Sequence, residues 1–241
     1  MNFLRIAARI SAIPLESGIR HKDKTFKFSL SEFKSLSSSL EMNEYSDERL
    51  QKLGEGSSRI CYAMTGSKVL KIAKSFRGVG VSDAGIAQNQ AEVDIYTNPK
   101  TKSVCTKIFD YDPEFRWVMS EIVRPIIDSL EFKSRMGVDI YNFSYLSQLI
   151  IEDNMSSSDA YNKFVDDFSL NSREPITEQD KQSCKKAISI LNNLKDSNLK
   201  YEDLTIIGHW GISASGNVVL LDYGFTTGVY EEFYREQGTG T

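Results

Sequence analysis

Tyr201-Glu202-Asp203-Leu204-Thr205-Ile206-Ile207-Gly208-His209-Trp210-Gly211, followed by Val218-Val219-Leu220-Leu221-Asp222-Tyr223-Gly224, sets one acidic residue before a β-prone hairpin and a second just after it. Ile212-Ser213 and residues 218–221 are the β-prone runs, and Ala214-Ser215-Gly216-Asn217 between them has turn-forming composition. Four apolar residues before Asp222 predict a buried strand that delivers this carboxylate to its open end. Gly224 is expected to let the backbone turn sharply behind it. With His209 between the two acids, the layout suits a metal-bound phosphate, although a surface hairpin ending in a solvated Asp-Tyr-Gly turn would use the same residues.

Upstream, Leu53-Gly54-Glu55-Gly56-Ser57-Ser58-Arg59 leads into Ile60-Cys61-Tyr62-Ala63, a turn at residues 64–67, and the strand Val69-Leu70-Lys71-Ile72-Ala73. Two glycines between strands let backbone approach phosphate oxygens with no Cβ in the way, and Lys71 on the second strand supplies positive charge. A G-x-G-x-x-G pattern is incomplete here, because Arg59 stands where the third glycine would be. Glu92 falls within a helical stretch, residues 88–96, before the breaker Asn98-Pro99. Its carboxylate can hold Lys71 through a charge-assisted hydrogen bond, or simply face solvent as most glutamates do.

Taken in order over residues 49–226, these features resemble the protein kinase-like superfamily. The resemblance rests on the glycine loop at Gly54 and Gly56, on Lys71, Glu92 and the strand-to-hinge stretch 117–123, on Asp203-Leu204, and on Asp222-Tyr223-Gly224 in place of D-F-G. It implies an α+β, two-lobed fold with a small antiparallel N-lobe sheet over residues 48–123 and a truncated helical C-lobe over residues 124–241. It also implies ATP and Mg2+ as cofactors. Gly54, Gly56 and Ser57 would cover the phosphates and Val69 the adenine. Ser120 would be the gatekeeper, and main-chain groups near Glu121 and Val123 would pair with the base. Lys71, held by Glu92, would contact the inner phosphates. Asp222 would hold magnesium, and Asp203 would orient the attacking hydroxyl and accept its proton.

The departures matter as much. The asparagine expected five residues after the catalytic aspartate is Gly208, and His209 follows it. Because His209 stands thirteen residues before Asp222, about the family interval, a one-residue insertion places it in the asparagine's position. Imidazole suits zinc, copper or iron better than magnesium, so His209 is either an altered metal ligand or a ring packed beneath the loop on a carbonyl. Nineteen residues follow Asp222, too few for an A-P-E segment and a peptide-binding platform. The expectation is therefore phosphotransfer to an unknown protein or a small molecule, as in antibiotic and choline kinase relatives. The alternative is a pseudokinase scaffold. His209-Trp210-Gly211 with Asp222-Tyr223-Gly224 is also similar to short kinase-like proteins of tailed phages, which would place the chain in the cytoplasm of an infected host.

Composition fits this class. The 241 residues are 40% hydrophobic and 26% charged, with a net charge of −4 that offers no basic field for nucleic acid. Cys61, Cys105 and Cys184 form no C-x-x-C pair and read as reduced thiols of a cytoplasmic protein, and no apolar run approaches membrane-spanning length. Residues 1–47 read as an appendage: an amphipathic helix over residues 2–13, suited to docking on a protein partner, then a serine-rich linker with one helix near residues 29–42. Helices are expected over residues 141–154 and 159–168. Another is expected over 177–195, capped by Thr177 with Asp180 and striped by Ala187, Ile188, Leu191 and Leu194.

Overall fold

The computed structural model describes residues 27–74, 82–171 and 177–235. The stretch expected to be an amphipathic helix, residues 2–13, lies outside them. Within them the chain is mixed α+β, built around a five-stranded antiparallel sheet. Among the described residues no helix is long and apolar enough to cross a membrane.

From residue 27 onward, the described part of the expected linker is structured. Two short helices, α1 (Leu30–Ser35) and α2 (Ser39–Arg49), replace the single one expected. Leu36 caps the end of the first, and Ser38 starts the second through a reciprocal capping box with Glu41. Both helices are anchored by burial: Phe33 and Met42 are fully enclosed against Tyr62, Leu70, Ile72 and Trp117. A polar, serine-rich composition concealed this because two apolar side chains per helix pair suffice when a sheet face receives them.

The sheet runs β1 (Gln51–Glu55), β2 (Arg59–Met64), β3 (Lys68–Ala73), β4 (Ile108–Tyr111) and β5 (Trp117–Glu121), in spatial order β1-β2-β3-β5-β4. Alternation along β3 decides what faces where. Leu70 and Ile72 enter the core under α1 and α2, whereas Val69 joins Leu53 and Ala63 on the opposite face. Lys71 shares the face of Val69. Helix α3 (Ser82–Thr97) packs on that side against β3 and β5, and ends just before Asn98-Pro99.

After Ile122-Val123 the chain enters a second, helical core. A short strand β6 (Arg124–Pro125) leads to α4 (Ser129–Met136), α5 (Ile140–Ser147), a π-helical turn at Gln148–Glu152, α6 (Ser157–Asn171) and α7 (Glu178–Leu194). The Thr177–Asp180 capping box forms as expected, and Cys184, Ala187, Ile188, Leu191 and Leu194 make the buried stripe. Next come the one-turn helix α8 (Tyr201–Leu204), a 3-10 turn (Ile207–His209), and β7 (Trp210–Ile212) with β8 (Val218–Leu220), which pair with β6 as a three-stranded sheet. Trp210 locks this region to the core. Its indole N–H donates to the Leu204 carbonyl at 2.8 Å, and its ring meets Phe132 and Phe143 edge-on.

The segment after Asp222 forms α9 (Thr227–Phe233), which packs on α3. Gly224 enables this approach by clearance and not by a sharp turn, since its backbone is not left-handed. A Cβ there would lie 2.4 Å from the Gln88 carbonyl oxygen of α3. Gly224→Ala is therefore expected to push the segment off α3 and to lower stability by about 1–3 kcal/mol, measurable as a drop in melting temperature.

Candidate functional site

Glu92 is the centre of the site. Carried by α3 and wholly buried, it would be prohibitive as a lone carboxylate, and two cations offset its charge. Lys71 Nζ donates to both its oxygens, at 2.8 and 2.9 Å, and to the Leu221 carbonyl at 2.9 Å. The lysine of the upstream sheet is thus tied to the strand end that carries Asp222, 150 residues later.

Arg59 is the second cation. Its Nη1 donates to Glu92 Oε1 at 2.8 Å and to Asn89 Oδ1 at 3.3 Å, while its Nη2 donates to Asp222 Oδ1 at 2.7 Å. The side chain is buried, and it starts β2 directly after the turn in which the Gly56 N–H donates to the Arg59 carbonyl. In the sequence, Arg59 stood out only as a break in the glycine pattern. In the structure it is the link between Glu92 and Asp222.

The two aspartates are driven apart in acidity. Burial pushes the Asp222 carboxyl up, but the charges of Arg59, Lys71 and His209 outweigh it and hold the group at about 2. Burial also raises Asp203, and the negative charges of Asp222 and Glu202 add to it, leaving that carboxyl at about 7. Near neutral pH, one is a fixed anion and the other a proton acceptor on the point of titrating.

His209 Nδ1 lies 3.0 Å from the Asp203 carbonyl oxygen. A carbonyl only accepts, so Nδ1 carries a proton and donates it, holding the loop that presents Asp203. His209 also borders the cleft between the sheet and the helical core, which encloses about 950 Å³ with its open mouth included. Of the residues expected around a nucleotide, Gly56, Ser57, Val69, Lys71, Ser120, Glu121, Val123 and Asp222 line this cleft. Gly54 instead sits in β1 opposite Cys61, and neither Glu92 nor Asp203 lies on the cleft wall. The Glu121 N–H is spent on the Lys107 carbonyl at 2.8 Å, whereas the Val123 N–H makes no backbone bond among the described residues.

Three features escaped sequence reading. Arg59 is one. On the cleft wall, the Thr106 and Ser120 hydroxyls are both buried and lack partners among the described residues. Thr106 lies in a connection with no pattern to single it out. Tyr234, just past α9, accepts from Gln88 Nε2 at 3.0 Å and lies 3.3 Å from Ser57 Oγ, tying the end of the described chain to the glycine loop. No protein-family model, curated protein or solved structure matches this chain.

Proposed function

We propose that this protein is an ATP-dependent phosphotransferase of the protein kinase-like type, with the five-stranded sheet and the helical core as its two lobes and the nucleotide between them. The observation that carries this reading is Lys71, bonded at once to Glu92 on α3 and to the Leu221 carbonyl beside Asp222, on the wall of the cleft between the sheet and the helical core. The base would lie over Val69, with the Val123 N–H as a donor to its edge. An acceptor hydroxyl would attack the terminal phosphorus as the bond to the ADP oxygen breaks, and its proton would pass to Asp203. A base held near 7 is well matched to that transfer. Positioning and charge supply most of the catalysis in such chemistry.

The magnesium implied by the resemblance fits these donors poorly. Magnesium favours near-octahedral oxygen ligation, yet the Arg59 guanidinium already lies 2.7 Å from Asp222 Oδ1, where its charge opposes a second cation, and an imidazole stands in the asparagine's position. The same Arg59–Asp222 contact favours the second reading, a pseudokinase that binds nucleotide as a scaffold. Free thiols at Cys61, Cys105 and Cys184 are in keeping with a reducing cytoplasm as the proposed setting.

The test is transfer from terminally labelled ATP to a panel of protein and small-molecule hydroxyl acceptors across pH 5.5–8.5. The expected rate rises with pH as Asp203 loses its proton, with a midpoint of about 7, and then levels. A profile flat through neutrality would remove Asp203 as the base. Nucleotide binding with no acceptor labelled would favour the scaffold.

A further inference from the structure

Lys71 and Arg59 divide their hydrogen-bonding capacity unequally. An ammonium has three donors, and all three of Lys71 are committed, two to Glu92 and one to the Leu221 carbonyl. A guanidinium has five, and Arg59 commits those facing Asn89, Glu92 and Asp222, leaving its Nε–H and one Nη2–H without a protein partner among the described residues. Arg59 also borders the cleft, beside Gly56 and Ser57 of the glycine loop. Its position over Asp222 is the one a divalent cation would take, and guanidinium is suited to paired contacts with phosphate oxygens.

We infer that Arg59 stands in for the metal ion, so that the cleft binds a nucleoside triphosphate without a divalent cation, the guanidinium bridging Asp222 to the phosphates. This rests on the nucleotide reading above and adds to it the identity of the phosphate-neutralising group. Lys71 then holds Glu92 and the Asp222 strand in place and is not the principal phosphate contact. A divalent ion on Asp222 would sit beside the Arg59 guanidinium, and the two positive charges would repel. Adding metal should therefore bring little gain in affinity, unlike a site in which the metal bridges carboxylate and phosphate.

The experiment is calorimetric titration of the whole chain with ATP, once in excess EDTA and once in millimolar magnesium. Wild-type affinities within about threefold of each other are expected. Arg59→Gln should lower affinity in EDTA by about tenfold or more, while magnesium should restore part of it by reaching the freed Asp222. Arg59→Lys, which keeps the charge in a buried setting, guards against loss of fold; it should retain more EDTA affinity than Arg59→Gln, and melting curves establish that each variant is folded. Wild-type binding more than about tenfold tighter with magnesium would overturn the inference and leave the nucleotide reading standing. An unchanged EDTA affinity in folded Arg59→Gln would overturn it equally. No binding in either buffer would remove the nucleotide reading itself.

Discussion

Glu92→Gln is expected to destabilise the protein by about 3–5 kcal/mol, the largest effect of any single substitution at the site. The carboxylate accepts from both Lys71 and Arg59 in a setting closed to water. Removing its charge leaves two buried cations facing one partly exposed aspartate, Asp222. Simultaneous replacement of Lys71 by Met should recover part of the loss, because it removes one orphaned charge together with its partner. Chemical denaturation of the single and double variants measures this directly. A loss under about 1 kcal/mol for Glu92→Gln would mean that the cations are hydrated in solution and that the charge cluster does not hold the sheet to the Asp222 strand.

Asp203→Asn is expected to act in opposite directions on activity and stability. Transfer should fall by about 10²–10⁴-fold, the usual worth of a positioned general base. Stability should rise at pH 8. Folding raises this carboxyl from 3.8 to about 7, so the folded state binds the proton more tightly than the unfolded chain, and wild-type stability declines as pH climbs between those values. Asparagine escapes that decline. The gain should be on the order of 1–3 kcal/mol above pH 7, allowing for the partial exposure of the group, and should vanish near pH 4. Asp222 has the reverse dependence: its carboxyl, lowered to about 2, contributes stability above its ordinary value of 3.8 that is lost as pH falls through about 2. Melting temperatures of wild type and Asp203→Asn across pH 4–8 check the sign, and a variant less stable than wild type at pH 8 would show that Asp203 is a favourable anion in the fold.

Much of this architecture was legible in the sequence because it depends on local periodicity. The alternation of Val69, Leu70, Lys71 and Ile72 gave both the strand and its two faces, the Thr177–Asp180 cap and following stripe gave a helix, and the apolar run ahead of Asp222 gave a buried strand. The order of Lys71, Glu92 and Asp222 suggested that they meet, and Lys71 does bridge Glu92 to the Asp222 strand. What stayed hidden depends on partners distant in the chain. Arg59 contacts a residue 163 positions away, and nothing in its neighbours distinguishes a clamp from a surface charge. The burial of Phe33 and Met42 likewise requires the face of a sheet not yet formed at that point in the chain. Gly224 was read for conformational freedom, when what it provides is room for a carbonyl of α3.

Amide hydrogen exchange with and without ATP tests the central claim most directly, because it reports where a ligand binds as well as whether it does. ATP is expected to slow exchange over residues 53–59 of the glycine loop and residues 119–123 between the sheet and the helical core, and to leave α6 unchanged. Unaltered exchange in both segments at about 5 mM ATP, well above the micromolar-to-millimolar range in which such sites work, would contradict a nucleotide site in this cleft.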